Sequence, residues 1–562
     1  MVMGRDLRIT VKRKIIRFFM FVFLASGIGK HVLAEDLLPA NTDLKQTPSI
    51  FIKTVEIQGN VLLPENELVE YIKHLSGGKR TLKELTDAAD AVQQAYRDAG
   101  YGGVVTFIPP QEFVDGIFII RVLEGKLADI HIMNNVRYDE KNILLSLPHL
   151  YHHKTPVVKD IDRNLQLANE NPAKELKVVL ESGEQQGEID AKVRVKEERP
   201  LRLLMGVDTA GTPGTGDFRT NVGVQHANLW NRDHIGIFQF QTSPSQPDQV
   251  QVYSVGYRLP LYNKFSAVDL FYAHSSVDNV STTTPAGPLG FTGKGDVAGF
   301  RAHHYLSRIG EYDHRVNFGW NWRHFSNNCT VGTFGSAGCN SAANADVTIA
   351  PINLGYTGQT MGPKLSWGLN STISGNPGGS SDAVFNTVRP GAEKHYFVWR
   401  LFAFSNLNLP AGFGLAARVS AQYSPHALVP GEQFGIGGGG SAMGGIISVR
   451  GYREREVIGD FGSFFNIEGL GPNIAQYLNH EKLRRINLRP LVFFDFGWAG
   501  NHKNKDCMAN ETSCTLASVG GGIRLTIGKR FFSRLDVGHA LMDGNQKSAG
   551  SNRIHLLVNF AY

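Results

Sequence analysis

From about Pro200 onward, apolar positions recur at every second residue. Around Trp320, Val316, Phe318, Trp320 and Trp322 take one parity, and Arg315, Asn317, Gly319, Asn321 and Arg323 take the other. Successive side chains of a strand point to opposite faces, so one face suits lipid and the other suits water. Tyr253, Val255, Tyr257 and Leu259 against Ser254, Gly256 and Arg258 repeat the arrangement. A two-sheet sandwich also alternates, but its polar face would lie outside and would not need aromatic residues at both strand ends. Strands are predicted to begin near Leu201, Asp217, Asp233, Asp248, Lys264, Gly295, Tyr312, Ala345, Gly362, Lys394, Ala411, Phe461, Asn487, Thr515, Arg530 and Asn552, sixteen in all. An even count returns the chain to the side on which it entered. The pattern predicts an all-β transmembrane barrel of sixteen antiparallel strands over 200–562.

Residues 51–199 read differently. Phe51 to Ile57 alternates as a strand, and Glu65 to Leu75 has helical spacing. Thr81 and Glu84 form a capping box that opens a second helix, which Gly100 ends; strands follow at Val104 to Ile108 and Ile117 to Glu124. The order strand, helix, helix, strand, strand then recurs. Leu127 to Met133 is a strand, Glu140 to Leu147 and Lys159 to Asn169 are helices, and Glu175 to Leu180 and Ile189 to Val195 are strands. Two small α/β units, 51–126 and 127–199, are therefore expected before the barrel, each leaving a sheet edge open to an added strand.

Composition agrees with a turn-rich β protein. Glycine makes up 62 of 562 residues, and only 19% are charged, against typical shares of about 7% and about 25%. A net charge of +6 with no dense basic run past the N-terminus argues against nucleic acid. Arg5, Arg8, Lys12, Arg13, Lys14 and Arg17 precede the apolar run Phe18 to Ile28, and Val32-Leu33-Ala34 supplies small residues, so 1–34 reads as an export signal and 35–50 as a short segment after it. No later run approaches the ~20 apolar residues of a spanning helix. With the α/β units in the periplasm, connections after odd-numbered strands face outside. These include the long segments near 275–294, 325–344, 374–393, 424–460 and 499–514. Cys329 with Cys339, and Cys507 with Cys514, fall in two of them. Neither pair has zinc-ligand spacing, so local disulfides are expected and no metal site.

In the longest outer loop stands "GGIISVRGYRERE", Gly444 to Glu456. Two POTRA-like units, a sixteen-stranded barrel, the loop residues Val449-Arg450-Gly451-Tyr452 and the later Phe493-x-Asp495-x-Gly497 resemble the outer-membrane transporters of two-partner secretion. That family comprises the haemolysin and haemagglutinin exporters of FhaC/ShlB/HecB type. The resemblance implies that the loop at about 424–460 folds back into the lumen, with Arg450 reaching the wall near Asp495. Parity supports this: Phe494, Phe496 and Trp498 share one face, which turns Phe493, Asp495 and Gly497 to the other. A guanidinium offers a planar fork to a carboxylate where lysine offers only a point charge. The last strand, Ile554 to Tyr562, ends on Phe560 and Tyr562 and resembles the C-terminal signal that outer-membrane barrels present to their assembly machinery. Family members often carry an N-terminal plug helix and a linker. Only Glu35 to Ile50 stands where both would be, which puts a plug in doubt.

The resemblance implies a Gram-negative outer-membrane pore, without cofactor or covalent chemistry, that exports an unfolded exoprotein of haemagglutinin or haemolysin type captured by the POTRA-like units. A barrel-assembly factor of the same superfamily is the alternative, although such relatives usually carry three or more POTRA domains. A passive porin would not explain the α/β units. Gly435-x-Gly437-x-x-Gly440 has the spacing of a dinucleotide fingerprint but lacks its strand-turn-helix setting, and the pairs His152-His153 and His303-His304 are isolated.

Overall fold

A computed structural model of the chain describes residues 49–562, apart from 113–114, 212–214, 277–279, 285–286, 292–293, 327–344, 442–446, 478–484, 504 and 509–510. The export signal, most of the segment 35–50 and the Cys329/Cys339 pair lie outside the described residues.

Among the described residues, the first unit is built on a three-stranded sheet. Thr54–Gln58 runs parallel to Ile117–Glu124, which pairs on its other side with Val104–Phe107. The single strand expected over 51–57 is broken at Lys53. Its first part, Ser49–Ile52, leaves the sheet to pair with Gly78–Thr81, and the Lys53 N–H is taken by the Gly116 carbonyl. The helix Leu82–Ala99 opens with the capping box: the Thr81 hydroxyl accepts from the Glu84 N–H while the Glu84 carboxylate accepts from the Thr81 N–H. It ends at Gly100 in the left-handed region. Leu85, Val92 and Tyr96 from this helix pack on Ile57, Phe118 and Ile120 of the sheet.

The second unit repeats the plan. Lys126–Met133 runs parallel to Glu188–Glu197, Lys174–Ser182 runs antiparallel to it, and helices Glu140–Ser146 and Val158–Ala168 cover one face.

After Pro200 the chain closes into a barrel with sixteen antiparallel strands among the described residues. In order they are Leu201–Asp208, Arg219–Leu229, His234–Thr242, Gln251–Leu261, Ser266–Ser275, Gly295–Tyr305, Tyr312–Phe325, Val347–Ile349 with Ile352–Met361, Leu365–Gly375, Phe397–Asn408, Gly414–Tyr423, Phe461–Leu470, Ile486–Gly500, Ser513–Ile527, Phe531–Ala540 and Asn552–Ala561. The eighth strand is interrupted where Pro351 cannot donate to the ladder. The sixteenth closes on the first over Leu557↔Asp208 to Ala561↔Leu204, and the backbones of Leu203 and Tyr562 exchange hydrogen bonds beyond it. Alternation separates the faces: Val316, Phe318 and Trp320 are exposed outward, while Asn321 is buried within. Leu557 keeps the inward parity of its strand and is buried there. No helix among the described residues is long and apolar enough to cross a membrane.

The second unit is fastened to the barrel rim through a buried polar cluster. Asp233, in the turn between the second and third strands, accepts from Lys174 Nζ at 2.5 Å, Ser146 Oγ at 2.8 Å and Tyr262 Oη at 2.7 Å. Asn142 spans to the same turn, donating to Asn228, to the Asn231 carbonyl and to Asp233. Lys174 and Asp233 are both fully enclosed. Burial draws the Lys174 ammonium below its ordinary pKa and the Asp233 carboxylate opposes that shift. Removing one partner of such a pair strands the other charge, at a cost of about 3–5 kcal/mol. Lys174→Met should therefore loosen this unit from the barrel. Trypsin should cut around residues 170–200 faster than in wild type while the barrel itself stays heat-modifiable on gels, and unchanged cleavage would count against the contact as the fastening.

Candidate functional site

The connection from Tyr423 to Phe461 does not spread over the outer surface. At its base Phe434–Ile436 and Val457–Gly459 form a two-stranded ribbon, and Phe434 stacks on the inward Phe464 at 5.9 Å between ring centroids. The glycines of the apparent dinucleotide fingerprint lie in this ribbon and the turn after it, with Gly437 and Gly440 at positive φ, and no helix follows among the described residues.

Beyond the ribbon the chain turns against the inner face of the last five strands. Arg450 lies at the centre and is fully buried. Its Nε and Nη2 donate to the two oxygens of Asp495 at 2.7 and 2.8 Å, and its backbone N–H adds a third bond to the same carboxylate at 3.0 Å. Nη1 donates to Glu468 at 2.6 Å and to Asp536 at 3.3 Å. The guanidinium lies 3.5 Å above the centroid of the Phe493 ring, so the whole planar group is used: its edge for three carboxylates and its face for an aromatic quadrupole.

Wall residues balance the acids. Arg524 bridges Asp536 at 2.5 Å and Glu468 at 3.1 Å, Arg418 pairs with Glu468 at 3.2 Å, and Asn466 donates to Asp495 at 2.9 Å. A buried guanidinium is tolerable only when charges and hydrogen-bonding groups around it are matched in this way.

Close approach of backbone to backbone makes the contact possible. Gly451 has φ 91°, and a β-carbon on Gly538 of the wall would stand 2.5 Å from the Gly451 nitrogen. A side chain at either position would lift the loop away from the wall. The Gly451 N–H donates to His555 Nε2 at 3.0 Å. The Tyr452 hydroxyl lies 2.9 and 2.7 Å from the carbonyls of Ala517 and Met542, either of which can take its one proton, and it accepts from the Met542 N–H. Val449 is buried beside Gly497, where a β-carbon would approach the valine methyl at 2.8 Å.

The structure thus brings Val449, Arg450, Gly451 and Tyr452 together with Phe493, Asp495 and Gly497. Arg453 and Arg455 are not part of this cluster: Arg453 reaches the exposed Asp217, and Arg455 donates to the carbonyls of Gln433 and Pro430. Cys507, in the next outer connection, forms a disulfide with Cys514 at the start of the fourteenth strand. Phe560 pairs in register with Met205 at the closing seam, and Tyr562 extends exposed beside the guanidinia of Arg199 and Arg530. Sequence reasoning missed Glu468, Asp536, Arg524 and His555. Each had an available signal, since it occupies the polar parity of a strand whose other face is apolar.

A closed barrel over two POTRA-type units, with a loop fixed to its inner wall, defines an outer-membrane transporter whose small domains lie in the periplasm. The family model described as haemolysin secretion/activation protein ShlB/FhaC/HecB matches residues 187–525, and a POTRA domain model of ShlB type matches 50–125. The chain belongs to the ShlB/FhaC/HecB family, the outer-membrane transporters of two-partner secretion. It is 20% identical over 540 residues to the heme/hemopexin transporter protein HuxB of Haemophilus influenzae strain 86-028NP, covering 92% of this chain and 88% of that one. A further HuxB sequence from Haemophilus influenzae aligns over only 34% of each chain, at 23% identity. The outer membrane transporter CdiB of Dickeya dadantii is 22% identical, covering 87% and 82%. Among solved structures, CdiB from Escherichia coli superposes with a TM-score of 0.73 at 17% identity, over 94% of this chain and 93% of that one.

Arg450→Lys retains charge but cannot reach three carboxylates and an aromatic face together. Limited proteolysis of the purified protein should then cut the 424–460 loop faster for Arg450→Lys than for Arg453→Lys or Arg455→Lys. Equal resistance of the three variants would argue against Arg450 as the anchor.

Proposed function

We propose that the transporter captures one unfolded partner of haemagglutinin or haemolysin type in the periplasm and passes it through the barrel after the 424–460 loop yields. One observation carries this reading. The lumen is occupied by a segment of the chain's own backbone that is held to the wall by side-chain pairs, so the segment can leave without breaking the barrel's ladder.

Recognition falls to the POTRA-type units. The edge strands Val104–Phe107 and Lys174–Ser182 pair on one side only among the described residues, which suits an extended peptide adding as a further strand. Folding of the cargo at the cell surface supplies the direction of transport, since no nucleotide is at hand outside the inner membrane. The exposed C-terminal Tyr562, following Phe560, serves the barrel-assembly machinery during biogenesis. The relatives named for heme/hemopexin and for outer-membrane transport leave the cargo's own activity open among the haem-binding, adhesive and toxic classes.

The test compares proteins in the culture medium of wild type, a deletion strain and an Arg450→Ala strain, with outer-membrane fractions run alongside. Loss of one large protein from the medium of both altered strains, with other barrels unchanged, is the expected result. A general fall of outer-membrane barrels would instead favour an assembly role, and an unchanged medium would overturn the secretion reading.

A further inference from the structure

Away from Arg450, the inner wall carries a second set of arginines, three of which take their carboxylate partners from outside the wall. Arg315 and Arg323 are eight residues apart on the inward parity of the seventh strand, a separation of about 27 Å at about 3.4 Å per residue. Arg301 of the sixth strand faces Gly319, midway between them. Arg400 projects inward from the tenth strand.

Arg315 is paired with Glu170, which the second POTRA-type unit inserts and which also holds Arg258 at 2.7 Å. Arg323 and Arg400 are paired with Glu432 of the long loop, at 2.5 and 3.0 Å. Glu432 is 1% exposed, and Gln422 donates to its backbone carbonyl. Arg301 has no such partner. Its cross-strand neighbour Asp269 attracts it from a distance but is engaged by Arg258 at 3.0 Å and His303 at 2.7 Å, and no side-chain hydrogen bond or ion pair within 4 Å reaches the Arg301 guanidinium among the described residues.

We propose that this face of the sixth, seventh and tenth strands is a binding surface for acidic side chains of the exported chain, and that Glu432 is the internal carboxylate holding its place at rest. The proposal rests on the secretion reading above. When the loop leaves the lumen, Arg323 and Arg400 lose the carboxylate that neutralises them, and a Glu or Asp on the passing chain restores the pair where an apolar residue does not. Arginines spaced by about 13 Å along the strand meet an extended chain at about every fourth residue. Such a surface retains the cargo weakly at each step without gripping a particular sequence. The stand-in also explains why a carboxylate is buried in a loop that must come out.

The full-length protein, reconstituted in planar bilayers, gives the test. A short oligo-glutamate peptide added on the POTRA side should interrupt the current far more often than oligo-lysine of equal length, and less so as salt rises. Arg301→Glu should cut the oligo-glutamate event rate by about tenfold, with Arg301→Lys close to wild type. Glu432→Gln should raise the event rate. Heat-modifiable migration identifies the variants that have folded, and Arg301→Gln serves if Arg301→Glu fails to fold.

Equal blocking by the two peptides, or an unchanged rate in folded Arg301→Glu and Arg301→Gln, would overturn the proposal. The culture medium of the same strains separates the two readings. A partner still exported by wild type without any peptide preference sinks this proposal alone, whereas a clear preference with no exported partner leaves the surface standing and sinks the secretion reading.

Discussion

Backbone amides and carbonyls that cross hydrocarbon have no water to bond, so each must find a partner within the chain. Here that requirement is met by closing sixteen strands into a ring, with Leu204 to Asp208 paired against Leu557 to Ala561. Closure has a second result. It creates an inner face that is sealed from lipid yet lined by the alternate residues of every strand, and those residues can be charged because none of them meets the bilayer. The Arg450 cluster, the Glu432 pairs and the Glu170 contact all depend on that enclosed polar surface.

Inside it, the loop is held by interactions of a different kind from those that hold the barrel. Ladder bonds are many, individually modest and shared along each strand. Arg450, by contrast, concentrates four side-chain hydrogen bonds and an aromatic contact in a single group. A buried ion cluster gains little over a well-packed apolar core but is costly to leave half made. The loop therefore has a defined seated position and few partly released ones. An apolar loop would slide more gradually and would stick to an exported chain.

The two-residue alternation made the barrel legible because lipid imposes it on every strand, and the capping box at Thr81 and the glycine at position 100 fixed the long helix of the first unit for equally local reasons. The break at Lys53 was hard to read, because one polar residue on the parity of Phe51, Val55 and Ile57 does not by itself end a strand, and it is the competing partner at Gly78–Thr81 that divides it. Within the lumen, Asp495 could be given a direction from the apolar parity of Phe494, Phe496 and Trp498. Glu468, Asp536 and Arg524 were harder to single out. Each is one polar residue among several on its strand, and what gathers them is the lateral register of neighbouring strands, which no single segment of sequence records.

The two clamps on the barrel act on different parts of it. Lys174, Asn142 and Glu170 tie the second POTRA-type unit to turns and walls of the second to seventh strands, whereas Arg450 is seated on the twelfth, thirteenth and fifteenth. A closed ring of fixed strand number cannot lengthen its circumference, but it can change from round to oval. Pressure on the periplasmic unit would then reach Arg450 as a change in the barrel's cross-section, moving the carboxylates of three strands relative to one another while every backbone hydrogen bond stays in place.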